Sequence, residues 1–287
     1  MKNPEPKRVC AIHDLSSYGR CALTVVIPAL SAQGIQTVPL PTALMSTHTG
    51  GFDNIYIRDL TSDMRGMYMH WKELGVRFDA IYSGFVLHAG QGEIISEVID
   101  TFREKDTLVL VDPVMGDHGE LYSTCTPDIA KCMETLCKKA DVITPNLTEA
   151  CILTDTPYPV GCFSSERECR DFVFPILQKL TRLCPAVAMT GIEYTDSDVH
   201  YVACVSADAN DEKDTVFCSQ KKEGTSYPGT GELFASILLG QLLDGKKLCE
   251  AVEFSAGFVL DTIKLSETCI TEKRTGTALE PALRMLR

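Results

Sequence analysis

Short apolar runs alternate with amphipathic segments along most of this chain. The apolar runs are rich in Val, Ile, Leu and Ala and are predicted to be buried strands: Arg8–Ile12, Ile35–Leu40, Ala80–Ser83, Thr107–Val111, Val142–Ile143 and Ala186–Met189. The segments between them place apolar residues at helical spacing, and the predicted helices are Gly19–Gln33, Leu60–Leu74, Gly92–Arg103, Pro127–Lys138, Leu147–Leu153 and Ser165–Leu183. This alternation indicates βαβ units and an α/β fold, with a mostly parallel sheet and helices on both of its faces.

The pattern changes after Gly191. Val199–Val205 and Asp214–Ser219 are predicted to be neighbouring strands, joined by a polar loop at Ser206–Lys213. The remaining apolar segments return to helical spacing and predict helices at Thr230–Leu243, Leu248–Lys264 and Ala278–Leu286. Because the chain contains no Pro-, Gly- or Ser-rich linker and no internal repeat, we expect a single domain over residues 1–287.

Composition and charge narrow the classes of protein that this chain can belong to. Its 287 residues, 45% of them hydrophobic, are enough to bury a core. The net charge of −12 argues against sequence-independent binding to nucleic acid or anionic membranes, since both need basic patches. The chain has no long uninterrupted apolar run and no C-x-x-C pair among its 13 cysteines, and we expect no signal segment. We therefore expect a cytoplasmic protein with reduced thiols.

The loops that follow the predicted strands are the candidates for ligand binding, because open parallel sheets bind ligands outside the carboxyl ends of their strands. These loops, together with a Gly-rich segment before a later helix, are His13–Gly19, Ser46–Gly51, Ser83–Gly90, Asp112–Gly119, Thr144–Glu149, Thr190–Glu193 and Ser226–Glu232. We expect all of them to lie on one rim of the sheet.

The segment Gly229-Thr230-Gly231-Glu232 opens an apolar helix and has the features of an anion site. Two glycines let the backbone approach a ligand closely, and the first N–H groups of the helix have no intrahelical partner. The segment is neither a Walker A loop nor a dinucleotide-binding fingerprint. From the residues alone, an anion site and a Gly-rich turn with a favourable first-turn acid are both open interpretations.

Two further loops carry chemistry suited to a metal and to phosphate groups. Asp112 comes directly after a buried strand and begins the segment Asp112-Pro-Val-Met-Gly-Asp117, where its carboxylate could bind Mg²⁺ or form an Asx turn. The segment Thr144-Pro-Asn146-Leu-Thr-Glu149 has the spacing of a capping box, so its polar residues could serve the helix alone. The occurrence of three such motifs on one predicted rim favours a common site.

In this order, the motifs resemble the pyridoxal kinase branch of the ribokinase-like superfamily. The resemblance covers nearly the whole chain and rests on these segments: Ala11-Ile12 to Tyr18-Gly19, Ser46-Thr-His-Thr-Gly50, Tyr82-Ser-Gly-Phe85, Asp112-Pro-Val-Met-Gly-Asp117, Thr144-Pro-Asn146 with Glu149, and Gly229-Thr-Gly-Glu232. It implies a three-layer α/β/α fold and ATP-dependent phosphorylation of the 5′-hydroxymethyl group of pyridoxal, pyridoxine or pyridoxamine. It also implies a requirement for Mg²⁺, often with K⁺, and a homodimer.

The resemblance assigns a role to each matching residue. Glu232 would take the proton of the substrate hydroxyl, beside an anion hole formed by Gly229, Thr230 and Gly231. The residues implied to bind the vitamer are Asp14, Ser16, Thr49, Phe85 and Glu232. Those implied to bind ATP are Asp112, Tyr122, Thr144, Asn146, Glu149 and Thr190, with Asp112 and Glu149 also next to the metal ion.

Three of the predicted site residues depart from the pattern of the family. Glu232 stands where the family normally has Asp, and its extra methylene moves the carboxylate by roughly 1 Å, a shift that can cost about 100-fold in rate. Asp14 stands where Ser is usual, and an acid there could favour the amine of pyridoxamine. Phe85 replaces a common Tyr and removes a hydroxyl group.

Two other functions stay open at this point. One is a kinase for the hydroxymethylpyrimidine of thiamin synthesis, although the resemblance implies Cys at position 232 in those enzymes, so that Glu232 favours a B6 vitamer. The other is a ligand-binding protein of the same fold that has lost catalysis, and only the change at position 232 supports it.

Overall fold

A computed structural model describes residues 5–209, 211–222 and 224–286, with only the backbone for residues 211–214. Its largest sheet has eight strands in the order β13-β12-β11-β10-β7-β6-β1-β3. These strands are β1 Arg8–Ile12, β3 Gln36–Pro39, β6 Ala80–Ser83, β7 Leu108–Val111, β10 Val142–Ile143, β11 Ala186–Asp196, β12 Val199–Asp208 and β13 Asp211–Lys221. Within this sheet, the neighbouring strands β3, β1, β6, β7, β10 and β11 pair in parallel. The strands β12 and β13 extend the sheet in antiparallel orientation.

Helices cover both faces of this sheet. They are α1 Leu23–Ala32, α2 Thr61–Glu73, α3 Ala89–Phe102, α4 Pro127–Cys137, α5 Leu147–Leu153, α6 Glu166–Leu180, α7 Thr230–Leu243, α8 Leu248–Cys269 and α9 Leu279–Ala282, followed by a 3-10 turn at Leu283–Leu286. In β1, the side chains of Val9 and Ala11 face the core formed with α1, α7 and α8. Those of Cys10 and Ile12 face the core formed with α2 to α6, because successive strand residues point to opposite faces. The predicted three-layer α/β/α architecture is thus confirmed.

Two small sheets at the rim are absent from the sequence-based prediction. One consists of β2 Leu15–Tyr18, β4 Ala43–Thr47 and β5 Ile57–Asp59, and the other of β8 Gly116–Asp117 and β9 Glu120–Leu121. These strands are short, and several of their side chains are exposed. An apolar pattern therefore does not reveal them, since strand propensity depends on burial and on cross-strand neighbours.

Several predicted boundaries are wrong. The helix predicted from Gly19 begins only at Leu23, because Gly19 and Ala22 have positive φ angles of 101° and 50° and form a turn. The loop predicted at Ser206–Lys213 is largely strand, with Asp208 paired to Asp211. Polar residues in this edge hairpin satisfy the same backbone ladder as apolar ones, so their polarity does not indicate a loop. The last predicted helix is divided between α9 and the 3-10 turn after it.

The ends of the central strands lie level with one another. In the register of the sheet, Ile12 pairs with Ser83, Ser83 with Val111, and Val111 with Ile143. The residues that follow these four positions therefore leave the sheet at one edge, as the rule for parallel sheets predicts. None of the helices in the described part of the chain combines the length and the apolar character that a membrane span requires.

Candidate functional site

The glycine loop before α7 has a backbone that only glycine adopts readily. Gly229 has a φ of 84°, and a Cβ atom there would lie 2.3 Å from the carbonyl oxygen of Arg20. The Thr230 hydroxyl donates to the carbonyl of Tyr227 at 3.1 Å, which closes the loop. The first N–H groups of α7 have no intrahelical acceptor, so the loop presents donors and the positive end of a helix dipole at the rim.

Glu232, in the first turn of α7, reaches across to the turn before α1. Its Oε1 accepts a hydrogen bond from the backbone N–H of Ala22 at 3.2 Å and from the thiol of Cys21 at 3.3 Å. These contacts join residues that are more than 200 positions apart in the sequence. The carboxylate predicted to be the base is therefore held in place by the protein, and neither of its two donors was predicted from the sequence.

Asp14 is a buried carboxylate close enough to Glu232 for their charges to interact. It is only 5% exposed, and its Oδ2 accepts a hydrogen bond from the Ser16 hydroxyl at 2.7 Å. Burial, opposed by the Ser16 hydrogen bond and assisted by the negative charge of Glu232, raises the pKa of Asp14 to about 6. The start of α1 contacts both residues in different ways: the Leu23 N–H donates to the backbone carbonyl of Asp14 at 3.1 Å, whereas the Ala22 N–H donates to the carboxylate of Glu232.

His13 does not neutralise this pair of acids. Its ring is buried and packs edge-on against Tyr82 with 4.3 Å between ring centroids. Burial lowers the pKa of His13 to about 3, so the ring is neutral at physiological pH. A Cβ atom on Gly84 would lie 2.5 Å from the His13 ring, so the residue after β6 has no space for a side chain.

The raised pKa of Asp14 predicts a pH-dependent change in stability. The folded protein keeps the Asp14 proton up to about pH 6, whereas the unfolded chain loses it near pH 3.8. Stability should therefore fall as pH rises through this range, because the unfolded state binds fewer protons. In Asp14→Asn this penalty is absent, and the variant should gain on the order of 3 kcal/mol relative to the parent between pH 4 and pH 7.

Urea unfolding at the two pH values measures this difference. The exposed Asp106→Asn is the control, and its stability relative to the parent should be the same at both pH values. An Asp14→Asn difference that does not grow with pH would show that this carboxyl titrates normally in the folded protein.

Asp112 and Glu149 form the second acidic pair at the rim. Asp112 is 7% exposed and Glu149 is 3% exposed. Burial, and then the charge of Glu232, raises the pKa of Asp112 to about 8. Burial and the charge of Asp112 raise the pKa of Glu149. Two hydrogen bonds from backbone N–H groups partly offset this increase: Met115 donates to Oε1 at 3.0 Å and Asn146 to Oε2 at 2.8 Å.

These two carboxylates fit the chemistry of Mg²⁺, which binds through one or two carboxylates together with phosphate oxygens and water. Within the described part of the chain, neither acid forms an ion pair with Lys, Arg or His. A divalent cation between them would offset their mutual repulsion. The described residues contain no group of three or more His, Cys, Asp or Glu side chains able to hold a metal by themselves.

The capping box predicted at the start of α5 is present. Asn146 Oδ1 accepts the Glu149 N–H at 3.0 Å, and the Glu149 side chain accepts the Asn146 N–H. Asn146 Nδ2 also donates to the carbonyl of Gly116 at 2.8 Å, which ties the small β8–β9 sheet to this helix. The two interpretations of this motif are thus compatible, because the cap orients a carboxylate that faces Asp112.

Replacing Asn146 by Ala should lower stability by about 1 kcal/mol, because the cap of α5 is lost. Replacing it by Ser keeps a capping oxygen but removes the donor to Gly116. Asn146→Ser should therefore retain most of the unfolding free energy in urea titrations. Equal losses in the two variants would indicate that the bond to Gly116, and not the cap, carries the effect.

The other predicted nucleotide-binding residues lie around this pair. The Thr144 N–H donates to the Val111 carbonyl at 3.2 Å, which places Thr144 beside the strand end that precedes Asp112. Thr190 bridges to Asn146, and its N–H donates to the Pro145 carbonyl at 3.0 Å. Tyr122, at 42% exposure, follows β9, and burial together with the charges of nearby acids, Asp117 and Glu149 foremost, raises its pKa.

The predicted vitamer-binding residues differ in how deeply they are buried and in whether they contact one another. Ser16 is fully buried beside Asp14, and Phe85 is half-buried after β6. Thr49 is exposed in the loop after β4, and no described contact links it to Asp14 or Glu232. The structure therefore joins Asp14 to Ser16 by a hydrogen bond and places Glu232 close enough to Asp14 for their charges to interact, whereas Thr49 shares only the rim with them.

The loop that contains Thr49 is fixed by the segment between α8 and α9, which the sequence did not suggest. The Gly50 N–H donates to His48 Nδ1 at 3.1 Å, so the other ring nitrogen, Nε2, donates to the Arg274 carbonyl at 2.7 Å. The Arg274 guanidinium lies 4.5 Å from the centre of the Phe52 ring and donates to the Gly51 carbonyl. These contacts hold one wall of the site against the C-terminal part of the chain.

Comparison with known proteins finds a family and a relative that match most of this chain. The sequence profile of the family described as phosphomethylpyrimidine kinase matches residues 19–277. A pyridoxine/pyridoxal/pyridoxamine kinase from Bordetella avium is 26% identical over 287 residues, which cover 96% of this chain and 90% of that protein.

Two solved structures agree with the fold over almost the whole chain. A protein from Bacteroides thetaiotaomicron, described as a phosphomethylpyrimidine kinase and crystallised with pyridoxal, is 36% identical with a TM-score of 0.87, covering 98% of this chain and 96% of that one. The pyridoxal kinase of Lactobacillus plantarum is 27% identical with a TM-score of 0.84 and the same coverage of both chains.

The fold and these relatives define a kinase of the ribokinase-like class. The chain belongs to the phosphomethylpyrimidine kinase family, whose profile covers most of its length. The predicted resemblance to pyridoxal kinases is therefore confirmed.

Proposed function

We propose that this protein transfers the γ-phosphoryl group of ATP to the 5′-hydroxymethyl group of a B6 vitamer. The observation that carries the proposal is the position of Glu232, an acid anchored in the first turn of α7 directly beside the N–H groups of the glycine loop. A base and an anion site side by side suit the transfer of a phosphoryl group to a hydroxyl.

Each part of the site has a task in this reaction. Glu232 would orient the substrate hydroxyl and draw its proton, and the N–H groups after Gly229 would stabilise the charge on the transferred group. Asp112 and Glu149 would hold Mg²⁺, which when bound neutralises charge on the phosphate oxygens of ATP. Thr144, Asn146, Thr190 and Tyr122 would surround the nucleotide. K⁺, a homodimer, a single domain and a cytoplasmic location stay predictions.

The relatives support a B6 vitamer as the acceptor. The Bordetella avium protein is described as a kinase of pyridoxine, pyridoxal and pyridoxamine, and the Bacteroides thetaiotaomicron structure contains pyridoxal. The family profile also favours a second candidate, hydroxymethylpyrimidine, because its description names phosphomethylpyrimidine kinase. A carboxylate at position 232, where the pyrimidine kinases are expected to have Cys, supports the vitamer.

A coupled assay tests the proposal directly. ADP formation is followed with ATP, Mg²⁺ and K⁺, and the acceptors are pyridoxal, pyridoxine, pyridoxamine and hydroxymethylpyrimidine. We expect turnover of at least one vitamer at a higher kcat/KM than hydroxymethylpyrimidine. A preference for the pyrimidine would support the second candidate, and binding of a vitamer without any turnover would support a protein that has lost catalysis.

Asp14 predicts which vitamer is preferred. The 4′ and 5′ substituents are neighbours on the pyridine ring, so an acid beside Glu232 would face the 4′ group when the 5′ hydroxyl faces the base. In pyridoxamine that group is a protonated aminomethyl group, which carries a positive charge. Asp14 has no cationic partner among the described residues. We therefore expect pyridoxamine to be a better substrate than pyridoxal, by about tenfold in kcat/KM.

Asp14→Asn should remove this preference, because Asn keeps the shape and loses the charge. The measurement is the ratio of kcat/KM for pyridoxamine to that for pyridoxal, and the neutral pyridoxine serves as the internal control. If the parent protein used both vitamers equally and the substitution changed neither rate, the role of Asp14 would be wrong.

A further inference from the structure

The Glu232 carboxylate is bound by a turn that belongs to a different helix. The residues Arg20, Cys21 and Ala22, here called the α1 turn, lead into α1. Both donors to Glu232 Oε1 come from this turn: the Ala22 N–H at 3.2 Å and the Cys21 thiol at 3.3 Å. The negative charge of the acid is thus placed at the start of α1, where a helix dipole favours an anion.

The α1 turn is held in place from three sides. The Arg20 N–H donates to the Thr275 carbonyl at 2.8 Å. The Arg20 guanidinium forms an ion pair with Glu280 at 2.8 Å. The Arg20 carbonyl lies so close to Gly229 and Gly276 that a Cβ atom on either would approach it to 2.3 or 2.6 Å. The glycine loop and the turn that binds Glu232 therefore have a fixed relative position.

The backbone of Ala22 is strained in a way that serves this contact. Its φ of 50° and ψ of −131° fall in a region that residues other than glycine rarely occupy. Such a conformation persists only where surrounding contacts determine it, and here those contacts direct the Ala22 N–H at Glu232.

Cys21 acts as a hydrogen-bond donor and not as a nucleophile. Burial, and then the charges of Glu232 and Asp14, raise the pKa of its thiol well above the usual value. The sulfur therefore keeps its proton at physiological pH and can donate it to the carboxylate. A thiolate at this position would instead repel Glu232.

We propose that Cys21 and Ala22 form a seat that positions the Glu232 carboxylate, and that this seat is what allows Glu to serve where related kinases are expected to have Asp. Cys21 is then a positioning residue for the base, a role that rests on the proposed phosphoryl transfer. The start of α1 carries the charge of the base, which leaves the N–H groups of α7 for the phosphoryl group. A shorter Asp at position 232 would not reach the α1 turn from the same backbone.

A double-mutant cycle tests the seat through the kinetics. Cys21→Ala should lower kcat on the preferred vitamer by about tenfold, with the vitamer KM changed less than about threefold, because only the base is displaced. Cys21→Ser keeps a donor of similar size and should retain most of kcat. In a Glu232→Asp background, Cys21→Ala should have no further effect, since Asp does not contact the thiol.

A second measurement is independent of the substrate. The infrared S–H stretching band of Cys21, identified as the band that Cys21→Ala removes, should lie at the low frequency of a hydrogen-bonded thiol. In Glu232→Ala it should move to higher frequency. Additive effects in the kinetic cycle would contradict this proposal, as would an S–H band whose frequency is the same in the parent and in Glu232→Ala. A shifted band in a protein that phosphorylates no vitamer would support the seat and refute the proposed function.

Discussion

Glu232→Gln is expected to lower kcat on B6 vitamers by about 10²–10⁴-fold, the usual loss when a general base is removed. Gln keeps an oxygen that can accept the Ala22 N–H, so the side chain should stay in place while losing its basicity. The KM for the vitamer should consequently change little, because the lost interaction belongs to the transition state. Steady-state kinetics with pyridoxal and pyridoxamine measure both quantities.

Two matched variants complete this experiment. Glu232→Asp restores a carboxylate but withdraws it from the α1 turn, and we expect a loss of about 10²-fold, as for a displacement of roughly 1 Å. Glu250→Gln changes an exposed acid on α8 and should leave kcat unaltered. If Glu232→Gln retained the rate of the parent, proton transfer to this residue would be excluded. An increase in rate with Asp would show that the α1 turn does not place Glu232 productively.

Asp112→Asn is expected to affect activity and stability in opposite directions. The rate should fall, and the free Mg²⁺ concentration for half-maximal activity should rise by about tenfold or more, because a carboxylate ligand is lost. The folded protein should become more stable. Burial and the charge of Glu232 raise the pKa of Asp112, which shows that an ionisable acid costs free energy at this position, and Asn does not ionise. Each kcal/mol relieved corresponds to an increase in Tm of roughly 2–4 °C.

The opposite signs distinguish a functional role from structural damage. A substitution that merely disturbed the rim would lower both the rate and the Tm. Mg²⁺ titrations of the rate at saturating vitamer and thermal unfolding without nucleotide provide the two values at pH 7. Asp106→Asn, which changes an exposed acid before the other end of β7, should change neither. A variant with normal Mg²⁺ dependence would remove Asp112 from the metal site.

The sequence predicted the central part of the fold and the motifs at its rim. The buried strands of the parallel sheet are apolar on both sides, so their hydrophobic runs are visible without tertiary information. The capping box of Asn146 and Glu149 is local, with its two partners three residues apart. The glycine loop before Glu232 is recognisable because a close backbone approach requires residues without a Cβ atom.

Other parts of the site depended on contacts between distant segments. Nothing near Cys21 in the sequence indicates that its thiol meets Glu232, and nothing near His48 indicates its bond to Arg274. The small β2-β4-β5 sheet is equally hidden, since its short strands are stabilised by neighbours from other segments.

The sequence by itself therefore determined that this chain forms a mostly parallel α/β sheet with a glycine loop and acidic residues in the loops at one rim. Only the tertiary structure decided that Glu232 is held by the α1 turn and that Asp14 lies next to it. The reason is physical: periodicity and capping depend on residues a few positions apart. The position of a long side chain depends on donors that chain folding brings from segments more than 200 residues away.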